Sequence, residues 1–242
     1  MAKDKKIDKY PGISKEEKAR LKAIKRAKKA GISNPVIPPI KSKPGEKPAT
    51  VGFVLGNGTS RAFVDPVELK GKGKIYGCNA LYRTFTPDYL IAVDTRMVIE
   101  ISRTGYQIDN ELWTNPNRSY RNIQGLKLFE PSKGWSSGPT ALWLASQHGY
   151  KEIYILGFDY KGKGDGRYFN NLFADTTNYK KSSDRATFYG NWLKQTTITV
   201  KEHPNVKYYR VMEEGGFIPK ELTGLPNIEH ISQEKFKKIH NL

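Results

Sequence analysis

The residues best suited to chemistry stand at three places where an apolar run gives way to small and polar residues. The first is Leu55-Gly56-Asn57-Gly58-Thr59-Ser60-Arg61. Two glycines let a backbone approach a phosphate closely, and a helix starting behind them adds amide donors and a favourable dipole. Asn-Gly is also plain turn chemistry, so what gives this turn weight is its position after a first strand. The second is Trp135-Ser136-Ser137-Gly138-Pro139-Thr140. Serines with Gly and Pro behind them cap a helix start, and the same hydroxyls and amides make an anion site. The third is Leu156-Gly157-Phe158-Asp159-Tyr160, another strand end that directs Asp159 and Tyr160 over the same crevice.

These groups narrow the ligand. A dinucleotide fingerprint wants a third glycine and an acidic residue after the second strand, to hold the ribose. Here those positions are Arg61 and Asn79. That speaks against NAD and, on similar grounds, against S-adenosylmethionine. Asn79 both donates and accepts hydrogen bonds. A third strand ends in Asp94, which could hold a hydroxyl or a metal ion, or cap the helix that follows. The single cysteine, Cys78, excludes an intramolecular disulfide and reads as a small core residue.

The elements that must position these groups follow from periodicity. Residues 51–55, 74–78, 89–93, 126–129, 152–156 and 207–211 read as short strands; residues 139–148, 183–203 and 232–240 read as helices. Near-continuous apolar strands alternating with helices predict a Rossmann-like α/β domain, a mostly parallel sheet with helices on both faces. Ligands in such folds bind at the carboxyl ends of the strands.

Ahead of this domain the texture differs. Residues 1–50 hold 13 Lys and 2 Arg against 2 Asp and 3 Glu, a formal +10 of the chain's +17. Ser14-Lys15-Glu16-Glu17 reads as a capping box that opens a helix ending at Gly31. Five prolines between Ile32 and Thr50 favour an extended spacer. The expected organisation is a basic helical arm over 1–31, a Pro-rich linker over 32–49 and the α/β domain over 50–242. Such an arm suits a nucleic acid, an anionic membrane face or an acidic protein surface, or serves as a solvated tail. No apolar run approaches the roughly 20 residues that span a bilayer, and the N-terminus lacks a signal-peptide core. The expectation is a cytoplasmic protein, in a host cytoplasm or a virion if phage-encoded.

The series Gly56-Asn57-Gly58-Thr59-Ser60, Cys78-Asn79, Ser136-Ser137-Gly138 and Gly149 to Tyr160 resembles the bacterial lipooligosaccharide sialyltransferases. It is also similar to a related pterin diphosphokinase-like and motility-associated glycosyltransferase group. The resemblance runs from Val51 to Tyr168 and is most specific from Ser136 to Tyr160. It implies a CMP-sugar donor and no obligatory metal. It further implies that Gly56, Asn57, Ser60 and Asn79 hold the nucleotide phosphate and ribose, with Ser136, Ser137 and Gly138 on the sugar or phosphate. Tyr160 and Tyr168 are its candidates for a tyrosine pair at the departing phosphate. Gly58, Asp94, Gly157 and Asp159 complete the candidate nucleotide site.

Two departures stand out. The family's general-base histidine should fall between residues 170 and 184, where none exists; Asp175 and Asp184 are the carboxylates there. Asp94 also replaces an asparagine of the family pattern. Two functions follow: a CMP-sugar-binding, glycosyltransferase-like protein whose transfer activity the sequence leaves open, or a non-catalytic phage virion or tail assembly protein. In the second, residues 1–49 contact a neighbouring subunit or DNA.

Overall fold

A computed structural model of the protein describes residues 50–242. The expected basic helix over 1–31 and linker over 32–49 lie outside the described residues. Eight strands form one sheet: β1 (Val51–Leu55), β2 (Lys74–Cys78), β3 (Tyr89–Ile91), β4 (Leu112–Thr114), β5 (Lys127–Leu128), β6 (Glu152–Leu156), β7 (Lys207–Met212) and β8 (Ile228–Ser232). Their order is β5-β4-β3-β2-β1-β6-β7-β8. Every pairing is parallel, so the sheet is more uniform than the mostly parallel one expected. The order reverses direction between β1 and β6, which makes their carboxyl ends the switch point of the sheet.

Register assigns the faces. Val54, Tyr76, Ile91 and Ile155 point to one side, where they pack with α3 (Ser137–Gln147) and α4 (Gly190–Glu202). Phe53, Leu55, Ile75 and Leu156 point to the other and pack on Phe236 of α5 (Gln233–His240). Leu90 and Leu112 share that second side with Met97, Val98 and Ile101 of α1 (Thr95–Arg103). The spacing of those three residues puts them on one stripe of α1. A turn of helix, α2 (Tyr106–Asp109), follows α1. Helix α3 is buried nearly all round, because the sheet lies under it and α4 over it. Ser137, at its start, is thereby held against the ends of β2 and β3.

The structure departs from the sequence reading in two strands and at two element ends that bear on the site. Strands β4 and β8 have no strong sequence signal: β4 has three residues, and β8 (Ile-Glu-His-Ile-Ser) is a half-polar edge. The third strand stops at Ile91 rather than Val93. Helix α4 starts at Gly190, not Ser183. Residues before it are committed elsewhere: the Asp184 carbonyl accepts from Phe169 N (2.9 Å) and Ala186 N donates to the Arg167 carbonyl (2.8 Å). Groups spent on that pairing cannot join a helix.

Candidate functional site

One cleft, with about 810 Å³ of empty space merging into solvent, opens at the carboxyl ends of β1, β2, β3 and β6. It gathers Gly56, Asn57, Gly58, Asn79, Asp94, Ser136, Ser137, Gly138, Gly157, Asp159 and Tyr160 from segments far apart in the chain. Ser60 and Tyr168 are the two sequence candidates that do not line it. Ser60 faces a neighbouring hollow that Asp159 and Arg210 also line.

The glycines of the turn are explained by the meeting of two strand ends. A Cβ on Gly56 would stand 2.6 Å from the Gly157 carbonyl, and one on Gly157 would stand 2.8 Å from the Gly56 carbonyl. Gly157 also has φ +69°, a left-handed conformation that favours glycine. Gly58 leaves room for the Asp159 carboxylate.

The turn differs from the amide cradle that its sequence suggests. Gly58 N donates to the Gly157 carbonyl (3.0 Å) and Arg61 N to the Gly58 carbonyl (3.2 Å). Thr59 N donates to Asn170 Oδ1 (3.0 Å) and Ser60 N to Asp159 Oδ2 (3.2 Å). These amides are spent inside the protein. What remains is the side chain of Asn57, which is 7% exposed. Its Nδ2 donates to the Cys78 carbonyl (3.1 Å), while Oδ1 is buried with no partner among the described residues. Buried polar atoms are rarely left so.

Amides open to a ligand belong instead to α3, whose first turn has no helical acceptors for its N–H groups. Ser136 occupies its N-cap position but makes no side-chain cap bond, so the expected capping role is absent and the hydroxyl is available. Ser137 Oγ donates to Asn79 Oδ1 (2.8 Å) and accepts from Val93 N (3.1 Å), and Asn79 itself has a left-handed φ of +52°.

The floor is locked by one carboxylate. Asp159 accepts from the Ser60 hydroxyl, from Ser60 N and from Asn170 Nδ2 (2.9 Å). Beneath it lie two buried guanidinium groups. Arg61 Nε donates to the Gly56 carbonyl (2.7 Å), and Arg210 Nε to the Phe158 carbonyl (2.9 Å). Burial lowers the pKa of both, yet arginine keeps its charge in proteins. Neither makes an ion pair among the described residues, and both stand behind the cleft, whose own charged lining is Asp94, Asp159 and Lys161.

Asp94 occupies the N-cap position of α1 and, like Ser136, makes no side-chain cap bond. The carboxylate is exposed at the cleft surface yet partly desolvated, which pushes its pKa above the ordinary aspartate value. Cys78 is fully buried and its thiol is pushed up to about 12, in keeping with a core residue.

Of the two candidate tyrosines, Tyr160 lines the cleft and Tyr168 does not. The Tyr160 hydroxyl donates to Thr196 Oγ1 (2.7 Å) and is held protonated by burial. Tyr168 is 45% exposed and pairs its backbone with Lys163 and Arg185, outside the cleft. Tyr189 also lines the cleft, with its hydroxyl buried beside the Asn170 backbone without a well-formed hydrogen bond. Tyr189 meets Trp192 edge to face at 5.2 Å, and both line the cleft. Asn170, Tyr189 and Trp192 were not legible as site residues. Placing Tyr189 inside a helix from Ser183 hid its position at the cleft rim.

No histidine lines the cleft. His148 binds the Tyr76 hydroxyl, and His203 binds Gln147 (2.7 Å) and the Thr199 carbonyl (2.8 Å). His230 lies beside Arg210, and His240 packs on Phe53 and Tyr154. The substitute carboxylates are also elsewhere: Asp175 accepts from Ser182 N (3.0 Å) and Asp184 from Lys181 N (2.9 Å). Among the described residues, no group of three or more His, Cys, Asp and Glu side chains is placed to hold a metal ion. No described helix is long and apolar enough to cross a membrane.

No protein-family model matches the chain, and no curated relative matches it. Among solved structures, the fold is similar to the monofunctional alpha-2,3-sialyltransferase Cst-I from Campylobacter jejuni. The TM-score is 0.52 at 16% identity, over 78% of this chain and 83% of that one. The likeness is one of fold, and it agrees with the resemblance read from the strand ends.

Proposed function

We propose that residues 50–242 form a glycosyltransferase-like domain whose cleft binds a nucleotide-sugar donor of the CMP-sugar type. The observation that carries this reading is the convergence of Asn57, Asn79 and the start of α3 at the sheet's switch point. In this reading the Ser136, Ser137 and Gly138 end of α3 takes the phosphate. Asn57 Oδ1 accepts from a hydroxyl or amino donor of the nucleoside, and Asn79 Nδ2 donates to one of its acceptors. Gly56, Gly58 and Gly157 shape the floor, while Ser60 and Asp159 hold it from behind. Tyr189, rather than Tyr168, faces the departing phosphate beside Tyr160. Residues 1–49, in the same reading, form a separate basic arm.

Thermal stability with CMP, CDP, UDP and ATP tests the assignment. A ligand at tenfold its Kd stabilises the folded state by ~1.4 kcal/mol, a shift of roughly 3–6 °C for a domain of this size. Stabilisation led by CMP supports the reading. The absence of a shift with all four at millimolar concentration refutes it.

A further inference from the structure

Two carboxylates line the cleft, and they are in opposite states. Asp159 accepts three hydrogen bonds from Ser60 and Asn170. Asp94 has no hydrogen bond or ion pair among the described residues, although it stands where a capping bond to α1 would be ordinary. Asp94 follows directly on Val93, whose amide is held by Ser137 at the start of α3 (3.1 Å). It therefore flanks the end of α3 that the reading above gives to phosphate.

Resting on that reading, we propose that Asp94 is the catalytic base of this cleft, taking the proton of the hydroxyl that attacks the donor sugar. The hydroxyl oxygen forms a bond to the anomeric carbon as the bond from that carbon to the phosphate oxygen breaks. The bonding pair leaves with the nucleoside monophosphate, and the hydroxyl proton passes to the Asp94 carboxylate.

The other titratable groups around the cleft fail this task. Asp159 is fully engaged. Tyr160 and Tyr189 are held protonated by burial, as is the Cys78 thiol from β2. Lys161, at the end of β6, is a cation. Arg96 on α1 and Arg118, on the turn whose Asn117 reaches Thr95 (3.4 Å), make no ion pair with Asp94. Partial desolvation without a paired cation raises the carboxyl pKa, which makes a carboxylate a better base near neutrality.

The test uses the full chain and CMP-N-acetylneuraminate, with water as acceptor, following CMP release against pH. Asp94→Asn keeps the shape and removes the basicity. Expected are CMP binding within about threefold of wild type by calorimetry, and a kcat reduced by about 100-fold or more. The acidic limb of the wild-type profile should disappear, and formate should partly restore Asp94→Ala. Equal kcat in wild type and Asp94→Asn overturns the proposal. So does a loss confined to KM, which makes Asp94 a ligand-holding residue, and so does a wild type that binds CMP yet releases none from the donor. A wild type that fails to bind CMP removes the nucleotide reading and the base with it.

Discussion

Gly157 offers a sharp test of how the cleft floor is built. It has φ +69°, and an added Cβ would stand 2.8 Å from the Gly56 carbonyl and 3.0 Å from its carbon. Gly149, just past α3, has φ +79° but nothing within 4 Å of the same position. Alanine at either site takes on the left-handed conformation, at a cost of about 1–2 kcal/mol. It also restricts the unfolded chain by a similar amount in both variants, so that contribution cancels between them. Only Gly157→Ala also forces two strand ends apart, and overpacking of this kind costs roughly 1–3 kcal/mol. Gly157→Ala should therefore be less stable than Gly149→Ala by about 1–3 kcal/mol, or roughly 2–12 °C in Tm. Urea titration of both variants measures the difference, with the slope checked for constancy. Gly157→Ala should also weaken CMP binding, while Gly149→Ala leaves it unchanged. Equal stability of the two variants would refute the contact between Gly56 and Gly157 as the reason for those glycines.

Asp159→Ala releases Ser60 and Asn170 together; hydrogen bonds to a charged group contribute about 1.5–3 kcal/mol. A loss of at least ~1.5 kcal/mol in urea, with loss of the CMP shift, is expected. His230 is held down to about 4 by burial and by Arg210, and burial also lowers His203 and His240. The unfolded chain therefore binds more protons between about pH 6.5 and 4. Stability should be whole above pH 6.5 and fall as pH drops through that window. His230→Gln should flatten the fall, and an unchanged slope in urea titrations across that pH range would contradict the assignment. Removal of residues 1–49 should leave both Tm and the CMP shift within error; an insoluble product would place the domain boundary wrongly.

Much of the fold was legible because its signals are local. Strands β1, β2 and β6 carry apolar runs of four or five residues, the latter two opening on Lys74 and Glu152. Parallel strands buried on both faces read that way whatever their neighbours. Strands β4 and β8 are short or half-polar, and they are strands because a neighbour supplies the ladder. The same distinction divides the site. The strand-end positions of Asn57, Asn79, Asp94 and Asp159 were legible as the points where apolar runs stop.

The sequence by itself determined the strand ends, the small residues that crowd them and the lack of a histidine where the resemblance expects one. Tertiary structure decided which groups are spent and which are left for a ligand. The turn amides are consumed by Asn170, 111 residues from Thr59, and by Asp159, 99 residues from Ser60. Tyr189 reaches the cleft and Tyr168 does not, because residues 163–169 and 184–186 pair with each other before α4 begins. Among the described residues, no donor folds back onto the Asp94 carboxylate. Hydrogen-bond capacity is finite, and which donor meets which acceptor depends on distance in space, a quantity that one-dimensional spacing does not contain.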